Sequence, residues 1–572
     1  MRGGKRMKKR IAALLLGIVL AAVSVAGCGA SETSEQTALG NGASGSESEG
    51  QIAASQQDGT ENASKTIRVG WNYEPETMNP ANASSDAAYL VVRLCVEPLL
   101  RNVNGEAEPG LAESYEVSED NLEYTFHLRE STYSDGTPVT AEDVAYSIIY
   151  TLSPENACDN AYMIYGIDGA EEYNSGEGAV EDLGVEVIDD YTLKITMCQT
   201  AFPLYFAQQE FAPMNQEFVE SCGEQFGSEA EYTLTNGPFT LASWTHDSTL
   251  ELVKNENYWN ADAINLDGIT CYINATDETA VDMMLAGELD VCEFTNANQV
   301  SSLEETGNYT SQTYYSGFQF MHINHQGKTE ETGRWLSNTN FRKALSAAID
   351  RNAMVQAVYT TDEASTRLEL PSTRGVEAAV VEEYPYEGWS ASAEPEKAVE
   401  YLNAAMEELG CLDVSEIPTF TMLCYDSQEN MNALNAIAAM WESTLGITAQ
   451  IDSQPLSSML EMAYSGDYDF WKGGQANGYI DWLGDTATEY LSTAGGPYFC
   501  SYPEYDELYD VAATASDWKS RKDAMFELEQ YFCENVLDLV ITWTKSSLVT
   551  SDNISNVYIS GYADYTYADV SE

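Results

Sequence analysis

The stretch 468–491, YDFWKGGQANGYIDWLGDTATEYL, holds the side chains best suited to gripping a small molecule. Trp471, Tyr479 and Trp482 offer flat faces for stacking. Gly473-Gly474 and Asn477-Gly478 let a backbone come close, and Gln475, Asn477 and Asp481 supply polar ends. This is equipment for non-covalent capture, although the same residues would also build an aromatic scaffold around a glycine bend. Elsewhere, His322 and His325 form an HxxH pair, but on a strand residues three apart point to opposite faces, which disfavours a shared metal. Ten cysteines follow Cys28 with no CxxC among them, so they are either disulfide partners or free thiols rather than a metal knuckle. Adjacent acids such as Asp189-Asp190, Glu304-Glu305 and Glu382-Glu383 could be read as the carboxylates of a secreted hydrolase. With 92 acidic residues in the chain, such pairs arise by chance. HExxH, Walker A, GxSxG and EF-hand patterns are absent. The expectation is a binding protein, with no cofactor and no metal.

At 572 residues the chain is too long for one hydrophobic core, and two or more domains are expected. The 92 acids face only 26 basic residues. Six of the basic ones precede residue 11 and no acid precedes Glu32, so the remainder is more acidic still. Such a field repels nucleic acid and anionic lipid, and neither is expected as a partner. Local patterns alternate between strands and helices. Tyr124, Phe126 and Leu128 keep the period of a half-buried strand, and Ser134-Asp135-Gly136 is a turn. Thr140 then reads as the N-cap of a helix whose apolar stripe is Val144, Ile148 and Leu152. A hairpin is expected over 185–197, a strand over 314–325 and one long amphipathic helix over Phe341–Tyr359.

The first 27 residues read as a processing segment, with a basic start and an apolar run over 11–27 that is slightly short for a membrane span. Val25-Ala26-Gly27-Cys28 resembles the bacterial lipobox, which implies cleavage before a lipid-modified Cys28. Residues 28–65 are rich in Gly, Ser, Glu, Gln, Ala and Thr, and cannot bury enough apolar surface to order themselves. As a coil they would span on the order of 30 Å, enough to hold a receptor off a membrane.

From Thr66 onward the chain resembles the family 5 extracellular solute-binding proteins of peptide and nickel ABC importers. The longest match is YTFHLRESTYSDGTPVTAEDVAYSIIYTL, close to the family's FxLRxGxxFxDGTPVTAEDVxxS. Pro109–Tyr115, Asn236–Trp244, Lys254–Trp259 and Phe341–Tyr359 match further family segments in the expected order. The resemblance implies an α/β, two-lobed periplasmic-binding-protein-like fold of the large peptide-binding type, with a hinge-closing cleft. It divides the chain into lobe I at 66–295 (with an inserted subdomain at about 104–184), lobe II at 296–540 and a C-terminal return to lobe I at 541–572. It implies a monomeric, lipid-anchored receptor outside the bacterial cell membrane that captures oligopeptides or dipeptides and hands them to ABC permease subunits. A nickel chelate, haem, an oligosaccharide or a pheromone peptide are the alternative ligands. The candidate ligand-binding residues are Trp471, Gln475, Asn477, Tyr479 and Asp481. Family members commonly pair an aspartate of this loop with a peptide's α-ammonium. Here Gly478, or Asn477 in the register shifted by one, stands at that aspartate, and neither brings a carboxylate.

Overall fold

The computed structural model describes residues 64–103, 105–275, 277–476, 486–494, 497–560 and 562–571. The segments expected to be a processing signal and a tether, with Cys28, lie outside them up to residue 63. The largest sheet has strands β1 (Thr66–Gly70), β2 (Phe239–Thr245), β3 (Thr249–Lys254), β4 (Gly268–Tyr272) and β5 (Val291–Phe294). It continues with β6 (Tyr309–Ile323), β7 (Phe420–Tyr425), β8 (Ala449–Gln454), β9 (Phe470–Ala476) and β10 (Leu539–Ser551). They lie side by side in the order β2-β3-β4-β1-β5-β10-β6-β9-β7-β8, and the short strand Glu363–Ala364 pairs with β10. β1 is parallel to β4 and β5, and β7 is parallel to β8 and β9. These two parallel patches are joined through antiparallel pairings of β10 with β5 and β6, and of β6 with β9.

β6 and β10 belong to both halves. Tyr309–Tyr315 pairs with Lys545–Ser551 beside β5, whereas Gly317–Ile323 is held between β10 and β9. The register slips once in each strand, leaving Ser316 and Ile541 as the extra residues. Bulges bend a strand and increase its twist, so the sheet turns where one lobe gives way to the other.

Each lobe has its own core. In lobe I, Ile67, Val69, Leu250 and Ile269 pack with Leu548 of β10 and with Tyr565 and Ala568 of the C-terminal tail. In lobe II the two faces of the sheet are covered separately, by a cluster around Trp441, Phe341 and Phe470 and by another around Phe320, Tyr468 and Tyr505. β10 alternates between them, with Leu539 and Ile541 in the first and Val540 in the second. The Trp441 ring sits 4.9 Å from Phe470 and its indole N–H donates to the Leu345 carbonyl at 3.1 Å, so burial costs it no hydrogen bond.

A further core runs from Leu99 to Phe211. Its antiparallel sheet has Ala112–Val117, Glu123–Leu128, Thr192–Thr196 and Val185–Asp189 in that order. Tyr124, Phe126 and Leu128 are buried as their alternation predicts, with Phe206 at 4.7 and 4.8 Å from the first two rings. Gly136 takes the turn at φ +88°. Helix α1 (Ala141–Leu152) closes on itself through Asp143, whose carboxylate accepts the Thr140 N–H at 2.8 Å.

The long helix expected over Phe341–Tyr359 is two helices, α2 (Thr339–Ala348) and α3 (Arg351–Ala357). Asp350 ends the first by capping the second, accepting from the Ala353 N–H at 2.9 Å. The break lets Arg351 turn inward, where its buried guanidinium donates to the Val540 carbonyl of β10 at 2.8 Å.

The ten described cysteines are all free, seven of them buried and Cys198 exposed. A thiol assay on a fragment starting after Cys28 is expected to count ten thiols in denaturant. In the native state Cys198 is expected to react first and the buried seven to be protected. A count of eight or fewer would show disulfides that this fold lacks.

Candidate functional site

The parallel strands of lobe I all end at one edge, and this is the edge at which open α/β sheets bind ligands. The turn between β2 and β3 lies there too, because Thr249 pairs with Tyr272 at the end of β4. An open depression of about 430 Å³ forms at this edge between Glu74, Pro75, Glu76, Ser228, Glu229, Trp244 and His246. Glu74 accepts from the Trp244 indole at 2.6 Å and bonds His246 Nδ1 at 2.7 Å, while Glu229 bonds Nε2 at 3.0 Å. Glu229 and then Glu74 raise the imidazole's pKa above its ordinary 6.5. The charged bridge is therefore complete at acidic pH and lost as pH rises through that raised value.

Lobe II meets the same edge at the loop before Glu363, where the Thr361 hydroxyl donates to the Thr295 carbonyl just beyond β5. Behind that contact lies a set of groups that local sequence did not single out. Lys472 on β9 is buried, donates to Gln319 Oε1 at 2.5 Å and to the Gly473 carbonyl at 3.0 Å, and lies 5.5 Å from the Tyr359 ring centre. Asp362 accepts from the Thr542 hydroxyl at 2.5 Å. Glu363 pairs with Lys545 at 3.1 Å and accepts from the Tyr315 hydroxyl at 2.9 Å. On the lobe I side Glu293 accepts from the Tyr314 hydroxyl at 2.6 Å. Tyr314, Tyr315, Gln319, Thr542 and Lys545 all lie on the two strands the lobes share, within a few residues of the bulges. The available signal for Lys472 was a lone lysine amid the aromatic and glycine residues of a strand. Its burial depends on Gln319 and Tyr359, more than a hundred positions away.

Of the residues expected at the site, Trp471 is buried in lobe II, 5.0 Å from the His322 ring and 6.4 Å from Tyr468, so its place is in the core. Gln475 lies near the end of β9, paired with Phe318 beside the Ser316 bulge. Asn477, Tyr479 and Asp481 lie outside the described residues. β9 ends with Gln475 and Ala476 beside the junction between the lobes. His322 and His325 use separate partners: His322 Nδ1 bonds Asp538 at 2.5 Å, and His325 bonds Tyr502 and the Leu537 carbonyl, each at 2.8 Å.

Chemically, the junction offers fixed charges of both signs and hydrogen-bonding groups in partly desolvated surroundings. Burial pulls the Lys472 ammonium down to about 8 from 10.5 and lifts the Asp362 carboxyl to about 6 from 3.8. Between those two values both groups are charged at a cost to folding, a pattern common where groups are kept for function. In a titration from pH 8 to 10.5 the unfolded chain retains a proton that folded Lys472 has released, so stability rises with pH. The buried thiols, held above their ordinary range, act in the opposite direction over the same pH range. Urea denaturation is therefore expected to show the rise as a difference, the stability of the parent minus that of Lys472→Met increasing with pH. Parallel pH profiles would contradict it.

Comparison with known proteins gives a consistent set of relatives. The sequence profile of the family described as Bacterial extracellular solute-binding proteins, family 5 Middle matches residues 106–496. The oligopeptide-binding protein OppA of Bacillus subtilis (strain 168) is 26% identical over 542 residues, covering 92% of this chain and 94% of OppA. The substrate-binding domain of an oligopeptide ABC transporter from Bacillus anthracis superposes with a TM-score of 0.70 at 25% identity, over 89% of this chain and 99% of that one. The Escherichia coli murein tripeptide-binding protein MppA shares the fold, with a TM-score of 0.71 at 23% identity over 89% and 99% of the two chains.

Proposed function

From its membership of the bacterial extracellular solute-binding proteins, family 5, to which this chain belongs, we propose that it captures peptides by closing its two lobes and delivers them to an ABC permease. Members of this family bind solutes and are not enzymes. The observation that carries the peptide reading is the mixed-sign group set of Lys472, Asp362, Glu363 and Lys545 at the lobe junction. A peptide is a zwitterion with a donor and an acceptor at nearly every residue, and such a set complements it. The names of the relatives, oligopeptide-binding and murein tripeptide-binding proteins, support the same ligand class.

The mechanism is a population shift. A ligand that touches both lobes makes all its contacts only in the closed state, so its binding energy favours closure. Turning a 1:99 closed-to-open ratio into 99:1 takes about 5.5 kcal/mol of differential binding. In this reading Gln475, Asn477, Tyr479 and Asp481 approach the ligand from lobe II, and Trp471 supports them from the core. The chain divides as 66–295, 296–540 and 541–572. Cys28 carries the lipid that holds a monomeric receptor outside the membrane, with 28–65 as its tether. Among the described residues, no helix is long and apolar enough to cross a membrane.

Native mass spectrometry of the purified protein is expected to show a ladder of co-purified peptide masses released on denaturation. A single non-peptide mass would overturn the ligand class, and the intact mass of membrane-extracted chain reports in the same run whether it begins at a lipidated Cys28. Because neither Asn477 nor Gly478 supplies a carboxylate, this reading leaves a peptide's ammonium to the acids of the junction, Asp362 and Glu363. Acetylating the N-terminus is therefore expected to weaken binding more than about tenfold, since leaving a buried charge unpaired costs several kcal/mol. A smaller loss would mean that the ammonium is not paired there.

A further inference from the structure

The module with the Leu99–Phe211 core is joined to lobe I by a buried polar weld. Arg101 donates to Glu97 at 2.8 Å, to Tyr258 at 3.2 Å and to Thr566 at 3.0 Å, and Tyr258 donates to Glu97 at 2.9 Å. Arg129 lies 3.6 Å over the Trp259 ring. The amides of Asn160 and Gln209 each donate to the same two carbonyls, Pro80 and Ala83, at 2.9–3.1 Å. Module and lobe I therefore move together.

Three turns of the same module also touch lobe II. Arg374 donates to the Gly105 carbonyl at 2.7 Å and pairs with Glu106 at 2.6 Å. The Asn121 amide donates to the Ser516 carbonyl at 2.6 Å. Phe202 meets the Trp518 ring edge-on at 4.9 Å, with the Arg521 guanidinium 5.4 Å over its own face. On the lobe II side these contacts form one patch, because the Trp518 indole donates to the Gly375 carbonyl at 2.7 Å. These contacts exist in the same conformation that brings Thr361 of lobe II against Thr295 of lobe I at the candidate edge, so opening the lobes about the bulges in β6 and β10 must slide or part this patch.

We propose that the patch formed by Phe202, Asn121 and Glu106 against Trp518, Ser516 and Arg374 is a closure latch, which biases the protein toward the closed state without contacting the ligand. Its chemistry suits that task. Partly exposed ion pairs, edge-on rings and guanidinium–ring contacts each add a small increment. Together they shift an equilibrium without freezing it, and each can break within one opening event. The latch does not depend on what the cleft binds, so it stands or falls separately from the peptide reading.

The test uses the full chain without ligand. Click-reactive unnatural amino acids at exposed Leu285 in lobe I and Leu412 in lobe II carry a fluorophore pair and leave the cysteines untouched. Single-molecule transfer efficiency then reports the closed-to-open ratio. Phe202→Ala with Arg374→Gln is expected to lower that ratio roughly tenfold while the melting temperature stays within a few degrees of the parent. Should the double variant misfold, Arg374→Gln alone at an exposed ion pair is expected to lower the ratio two- to fivefold at 50 mM salt and by less at 500 mM, where the ion pair it removes is already screened. A ratio equal to the parent's in whichever of these variants is folded would overturn the latch.

Discussion

The antiparallel pairing of β6 with β10 is the constraint on which the rest of the molecule depends. Among the described residues it is the one pairing that both lobes share, and each strand has a residue out of register where the lobes meet. A backbone ladder of this length is strong in sum, but at a bulge it loses pairing and gains twist. Stiffness within the lobes and compliance between them therefore come from the same two strands. The cores respect the division, since Leu548 packs with lobe I and Leu539 and Ile541 pack with lobe II.

The candidate site follows from that geometry. The parallel strands of lobe I end at an edge where Thr295 meets Thr361 of lobe II, and β9 ends beside Gly317 next to the first bulge. Groups of opposite sign are thereby gathered at the place where a small rotation changes distances most. Lys472 and Asp362 lie in surroundings that disfavour their charges, and a zwitterionic ligand would offset that cost. The Phe202–Trp518 patch adds a second place where the lobes meet, built largely from half-buried side chains and independent of cargo.

Much of the fold was legible where one segment determines its own structure. The alternation of Tyr124, Phe126 and Leu128 and the stripe of Val144, Ile148 and Leu152 are both realised by buried side chains. These patterns need only local geometry and one apolar neighbour. The break in the 341–359 helix was less visible, because its apolar spacing continues through a position where Asp350 prefers capping to helix interior. Trp471 looked like a stacking surface, yet the strand places its ring against His322 and Tyr468. Lys472, one residue on, points to the other face and meets Gln319 instead. Residue type identified that segment as unusual. Which face of it is buried depends on the register of β9 with β6, which only the tertiary pairing sets.

Hydrogen exchange with and without a bound peptide tests the central claim most directly, namely that the lobes close about the bulged crossing of β6 and β10. Peptide binding is expected to change amide protection at residues 314–320 and 540–546 and at the facing lobe edges, while the interiors of β1, β4, β7 and β8 keep theirs. Protection that rises uniformly through both lobes, or leaves the crossing unchanged, would contradict the account.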